Sequence, residues 1–207
     1  MNETARIESL SDCIFSFAAT LLVIELKPPP ANMPFWQGIA TLWPGYVSFV
    51  LSFFFIGIMW INHHRLFVHI QKADDLMMAV NLVVLLGVVF VPYPTMLMAT
   101  SITSSDQVYA RNVAILYNAC YLGIGLLFNL LWLVCRKRKV LDHLMGVEYA
   151  REMTFRNTMG LVCYAACLAM TWFSVPLSLA MNAAIAFYFL LPSRPERAAR
   201  SRRESGS

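Results

Sequence analysis

The chain alternates long apolar stretches with short charged ones, and the lengths of the stretches decide what they are. Four runs carry no Asp, Glu, Lys or Arg: Pro28–Asn62, Leu76–Ser105, Asn112–Cys135 and Asn157–Ser193. Each exceeds the roughly 18 residues that mark a helix able to cross a bilayer. The runs are continuous instead of alternating with period two, so they read as helices and not as strands of a barrel. The last run has 37 residues, which as one helix would extend about 55 Å. Ser174-Val175-Pro176 offers a break, because proline suits a first helical turn. The pattern therefore predicts an all-α integral membrane protein with six helices, at about 6–26, 44–67 (starting near Pro44 or a turn or two earlier), 75–99, 108–135, 153–173 and 176–191.

The first of these helices fits a membrane poorly. Its uncharged run, Cys13 to Ile24, has only 12 residues. That covers roughly 18 Å of a hydrocarbon layer about 30 Å thick. To span, the helix must draw Asp12, and Glu25 with it, toward the bilayer. Ionisable groups at that depth are costly and normally face a bundle interior or a watery path. Phe17, Thr20, Leu21 and Ile24 recur at i, i+3, i+4 and i+7 and so form one stripe. In a single chain such a stripe is ordinary packing. Around an axis shared by several copies it becomes stacked rings, which constrict a pore and gate it by dewetting.

Charge settles the orientation. With six helices, both termini share one side with the 2–3 and 4–5 loops. That side collects 14 of the 16 Lys and Arg residues and leaves only Lys27 and Arg111 for the other. The asymmetry places both termini in the cytoplasm. It also accounts for the basic excess without any nucleic-acid partner. A mixed-charge start, with Glu3, Arg6 and Glu8, does not look like a cleavable signal peptide. Residues 1–192 read as one transmembrane domain and 193–207 as a basic cytoplasmic tail, expected to be disordered near lipid head groups.

Candidate chemistry is sparse. The five cysteines all lie in or beside apolar segments and read as small packing residues, with no disulfide or metal site. His63 and His64 are adjacent, so they point about 100° apart on a helix, which suits one metal badly. With His69 and His143 they make only four histidines, few for a membrane metalloenzyme. A hydrogen-bonded junction is the better reading, in which His63 or His64 meets Asp12 or Arg6 of the first helix. Asn81, near the same membrane face, is expected to bond across helices. Pro92 and Pro94 must bend or end the third helix. No phosphate loop, nucleophile elbow or inward carboxylate pair with a histidine base appears, so the chain is not read as an enzyme and calls for no cofactor.

Three segments resemble the bacterial branch of the transmembrane protein 175 family, the lysosomal potassium channel family of animals. The first is Arg6, three residues, then Leu10-Ser11-Asp12 and the run Ala19-Thr20-Leu21-Leu22-Val23-Ile24-Glu25. The second is Trp60 with His63-His64-Arg65-Leu66-Phe67. The third is Asn81 with Phe90-Val91-Pro92-Tyr93-Pro94-Thr95. The resemblance implies a homotetramer in the bacterial inner membrane, with a central pore lined by the first helix of each subunit. It implies passive conduction of monovalent cations, potassium above sodium. It assigns hydrophobic rings to Phe17, Leu21 and Ile24, a hydroxyl layer to Thr20, and a bracing polar network to Arg6, Ser11, Asp12, His63 or His64, and Asn81. Two departures stand out: Leu10 replaces the signature Phe, and Phe17 stands where the family usually has Ile or Leu. Competing classes are a proton- or sodium-coupled transporter, for which no inverted repeat is visible, and the histidine-dependent enzyme already mentioned.

Overall fold

The computed structural model describes residues 3–142 and 146–190. Within them lie α1 (Glu3–Ile24), α2 (Phe35–Thr41), α3 (Trp43–Phe67), α4 (Asp75–Phe90), α5 (Pro92–Ser101), α6 (Gln107–Lys137), α7 (Val147–Met170) and α8 (Val175–Leu190). The tail expected at 193–207 and His143 fall outside the described residues.

Local chemistry places the boundaries. Asp74 caps α4, its Oδ1 accepting from the amides of Leu76 at 3.1 Å and Met77 at 3.2 Å. Asp106 caps α6 in the same way, from Val108 and Tyr109. Each satisfies amides that have no partner inside the helix. Pro44 sits in the first turn of α3, where a missing N–H costs nothing. The third predicted helix is divided in two. Pro92 and Pro94 cannot donate to the preceding turn, the Val91 amide falls back on Val88 O at 3.1 Å, and α5 restarts at Pro92. The short α2 was not expected from the sequence, because its seven residues are too few to show a period.

Among the described residues, four segments are long and apolar enough to cross a membrane: Glu3–Ile24, Trp43–Phe67, Asp75–Ser101 taken as one, and Gln107–Lys137. Many of their large apolar side chains lie on the outside of the bundle, as lipid contact requires. α6 packs against α4, α5 and α7, while α3 packs against α1, α5 and α8. Gly87 permits the close approach of α4 to α6, since a Cβ there would sit 3.0 Å from Ile124 Cγ1.

Buried polar side chains hold the bundle together where apolar contact alone gains little over lipid. Ser52 Oγ lies 2.7 Å from Thr95 Oγ1 and accepts from Tyr121 Oη at 3.1 Å, joining α3, α5 and α6. Asn118 Nδ2 donates to Thr171 Oγ1 and Ser178 Oγ, and its Oδ1 accepts from Asn182 Nδ2 at 2.9 Å. That second cluster ties α6 to α8 and to the residue that ends α7.

Candidate pore helix

α1 has two faces of different character. Ser11, Phe15, Ala18 and Leu22 are buried. They recur at i, i+4, i+7 and i+11, so they form one strip, which packs against α3, α4 and α5. Phe17, Thr20, Leu21 and Ile24 lie on the other side and point away from the chain's own bundle. Phe17 is 68% exposed, Leu21 40% and Ile24 72%, and Thr20 is exposed too. Thr20 Oγ1 donates to Phe17 O at 2.9 Å, which leaves its oxygen lone pairs for another partner. The exposed strip continues downward through Cys13, Leu10 and Arg6, with spacings of four and three in alternation.

The buried face is fastened by directional bonds near the start of the helix. Ser11 Oγ donates to Ile7 O at 2.8 Å and accepts from Asn81 Nδ2 at 3.1 Å. Asn81 Oδ1 in turn lies 2.9 Å from His63 Nε2. Since the Asn81 amide nitrogen is committed to Ser11, the network assigns the proton of this bond to His63 Nε2. Ser11, Asn81 and His63 are all fully buried. The His63 ring is stacked on Phe67 at 4.2 Å and tilted against Phe15 at 5.3 Å. Its Nδ1 has no hydrogen-bond partner among the described residues.

Two further rungs flank this chain. Trp60 Nε1 donates to Asp12 Oδ1 at 2.8 Å, and His64 Nδ1 lies 2.9 Å from Glu8 Oε1. Glu8 and Asp12 are one turn apart on α1, as Trp60 and His64 are on α3, so antiparallel helices bring them level.

The expected bracing residues are thus brought together with different partners. His63 meets Asn81, not Asp12, and His64 meets Glu8. Asp12 is held by Trp60. Arg6 is exposed on the outward strip and makes no bond or ion pair among the described residues. Trp60 and Glu8 were missed as members. The signal was present, because Trp60, His63, His64 and Phe67 share one helical face, as do Glu8, Ser11 and Asp12.

Residues 6–92, which take in most of α1 and all of α2 to α4, match the family described as the endosomal/lysosomal potassium channel TMEM175. A potassium channel of Streptomyces collinus is 33% identical over 192 residues, covering 91% of this chain and 92% of that one. A potassium channel of Chamaesiphon minutus is 34% identical over 200 residues, covering 93% and 96%. The chain belongs to the TMEM175 family. The crystal structure of a lysosomal potassium-selective channel TMEM175 homologue, also from Chamaesiphon minutus, agrees over 91% of this chain and 96% of that one. Its TM-score is 0.79 at 33% identity. The likeness therefore extends through α6, α7 and α8, beyond the segment that carries the TMEM175 family match.

Proposed function

We propose that the protein is a potassium-permeable cation channel in which α1 of each copy in a homotetramer lines a central pore. The observation that carries this reading is the outward strip of α1. A helix whose opposite face is bolted to its own bundle presents Phe17, Thr20, Leu21 and Ile24 to something outside the chain. Four such helices around an axis turn Phe17, Leu21 and Ile24 into apolar constrictions and Thr20 into a layer of oxygens between them. Apolar rings gate by dewetting and oxygens replace a cation's water. Four Phe17 rings also present π faces, which attract cations. Arg6 then acts between copies of α1 instead of bracing one copy from within.

In this reading α1, α3, the bent α4–α5 pair, α6, α7 and α8 are six crossings of the bacterial inner membrane, with both termini on the basic, cytoplasmic side. The partners are three further copies, membrane lipids and the permeating K⁺; conduction needs no cofactor and no catalysis. Family membership supports a channel over a coupled transporter.

Flux from liposomes holding the purified protein tests the function. A potassium gradient alone should drive current, and strict dependence on a proton or sodium gradient would sink the channel reading. Phe17→Ala should raise conductance or weaken selectivity for K⁺ over Na⁺. Unchanged values of both would remove Phe17 from the ion path.

A further inference from the structure

Where α3 ends and α4 begins, residues 70–74 run beside 138–142. Ile70 and Leu141 form an isolated antiparallel bridge. The Gln71 amide donates to Val140 O at 2.9 Å and the Asp142 amide to His69 O at 2.8 Å. Arg138 Nε donates to Asp74 Oδ1 at 3.2 Å. Lys72 lies between two of these ties on one segment, and Lys139 lies between the same two on the other. The two ammonium groups therefore spring from adjacent backbone.

Lys137, on the last turn of α6, adds a third. Asp74 answers the charge of Arg138, and Arg136 lies over the Trp132 ring at 5.9 Å. Lys72, Lys137 and Lys139 are exposed and make no ion pair among the described residues. From Lys72 to Asp75 and from Arg136 to Asp142 the chain holds three carboxylates, Asp74, Asp75 and Asp142, against five cations. Like charges held side by side repel, so the arrangement favours an anion from outside the chain.

The surface below the lysines says which kind. Leu126, Leu130, Leu133 and Lys137 recur at i, i+4, i+7 and i+11 along α6, and all four are exposed. A long apolar strip on a membrane-length helix, topped by ammonium groups, matches a molecule with an acyl chain and a phosphate. Cationic side chains at this level hold anionic head groups.

We infer that Lys72, Lys137 and Lys139 bind the head group of an anionic phospholipid whose acyl chain lies along Leu126, Leu130 and Leu133. The test uses the full channel in an uncharged detergent. Phosphatidylglycerol at about 100 times its dissociation constant should raise the melting temperature by roughly 5 °C, and phosphatidylcholine should not. The triple variant Lys72→Gln, Lys137→Gln, Lys139→Gln should lose that shift. Arg200→Gln, Arg202→Gln, Arg203→Gln, which removes equal charge from the tail, should keep it.

An equal shift with phosphatidylcholine, or none with phosphatidylglycerol, overturns the inference. So does an equal shift with inorganic phosphate, which would make this a soluble-anion site. Equal loss in the tail variant would reduce the effect to overall charge and overturn it too. Should the triple variant not fold, Lys137→Gln alone must lower the number of phosphatidylglycerol molecules retained in native mass spectra. Undiminished retention overturns the inference.

Discussion

Asn81→Leu removes the middle of the chain that joins α1, α4 and α3 while keeping the branched shape and heavy-atom count of the side chain. His63 Nε2 loses the acceptor it meets at 2.9 Å, and Ser11 Oγ loses the donor at 3.1 Å. Ser11 still donates to Ile7 O, so its loss is the smaller one. Side-chain bonds between membrane helices average about 0.6 kcal/mol each, which puts the two at roughly 1.2 kcal/mol. To this is added the cost of a buried N–H that water cannot reach, about 1–3 kcal/mol when no partner replaces it. Relaxation of the His63 ring within its aromatic cage trims that cost, and about 2 kcal/mol is expected in total. Such a loss is roughly a 30-fold fall in the folded-to-unfolded ratio. Equilibrium unfolding of purified protein in a denaturing-detergent titration measures it. A second variant separates the causes: His63→Phe combined with Asn81→Leu removes both polar partners and should recover at least half the loss. Asn81 does not lie on the outward strip, so flux per folded channel should stay at the wild-type value. Stability of Asn81→Leu within about 0.5 kcal/mol of wild type would show that this chain of bonds does not fasten α1.

Trp60→Phe keeps an aromatic ring and removes the 2.8 Å bond to Asp12 together with part of the indole's stacking on His64. The site is partly exposed, so water substitutes and the expected loss is about 1 kcal/mol; a loss as large as that of Asn81→Leu in the same titration would contradict the ranking. Cys13 lies on the outward strip of α1 and is the one exposed cysteine among the described residues. A cationic methanethiosulfonate reagent should cut potassium flux by half or more in wild type and leave Cys13→Ser untouched, whereas block that persists in Cys13→Ser would move the strip away from the ion path.

Length and hydropathy made most of the helices legible. The predicted span 108–135 is observed as Gln107–Lys137, and 44–67 as Trp43–Phe67. Those segments are bounded by charged or proline-bearing turns, so a small error in periodicity could not shift them. The division at Val91 was half legible: Pro92 and Pro94 required a bend or an end, and only packing decides which. The outward strip of α1 was legible because 3.6-residue periodicity alone groups Phe17, Thr20, Leu21 and Ile24. The bonding partners were not. Asp12 has two polar neighbours in sequence reach on α3, and which one it meets depends on how far α3 slides along α1. A shift of one helical turn would exchange Trp60 for His64. The Asn118 and Ser52 clusters were hidden for a related reason. Isolated hydroxyl and amide residues inside apolar runs announce that a partner exists, without naming the helix that carries it.

The way α1 is attached has a mechanical consequence for the strip it presents. Among the described residues, every side-chain bond from α1 to another helix comes from Glu8, Ser11 or Asp12, within a single turn and a half. Beyond Asp12 the helix is held by apolar packing, through Phe15, Ala18 and Leu22 with Ile14 and Ala19 beside them. Hydrogen bonds fix both distance and rotation, because they weaken steeply off axis. Apolar contacts inside a membrane fix neither so strongly, since lipid chains offer nearly the same dispersion energy. The rest of the bundle has its own polar ties, through Ser52 and Asn118, and these do not involve α1. The half of α1 that carries Phe17 to Ile24 is therefore less firmly fixed in rotation than its bonded base. In the proposed pore, a small rotation of that half would swing Phe17 and Ile24 together, since they sit two turns apart on one strip, and would change the width of their rings at once.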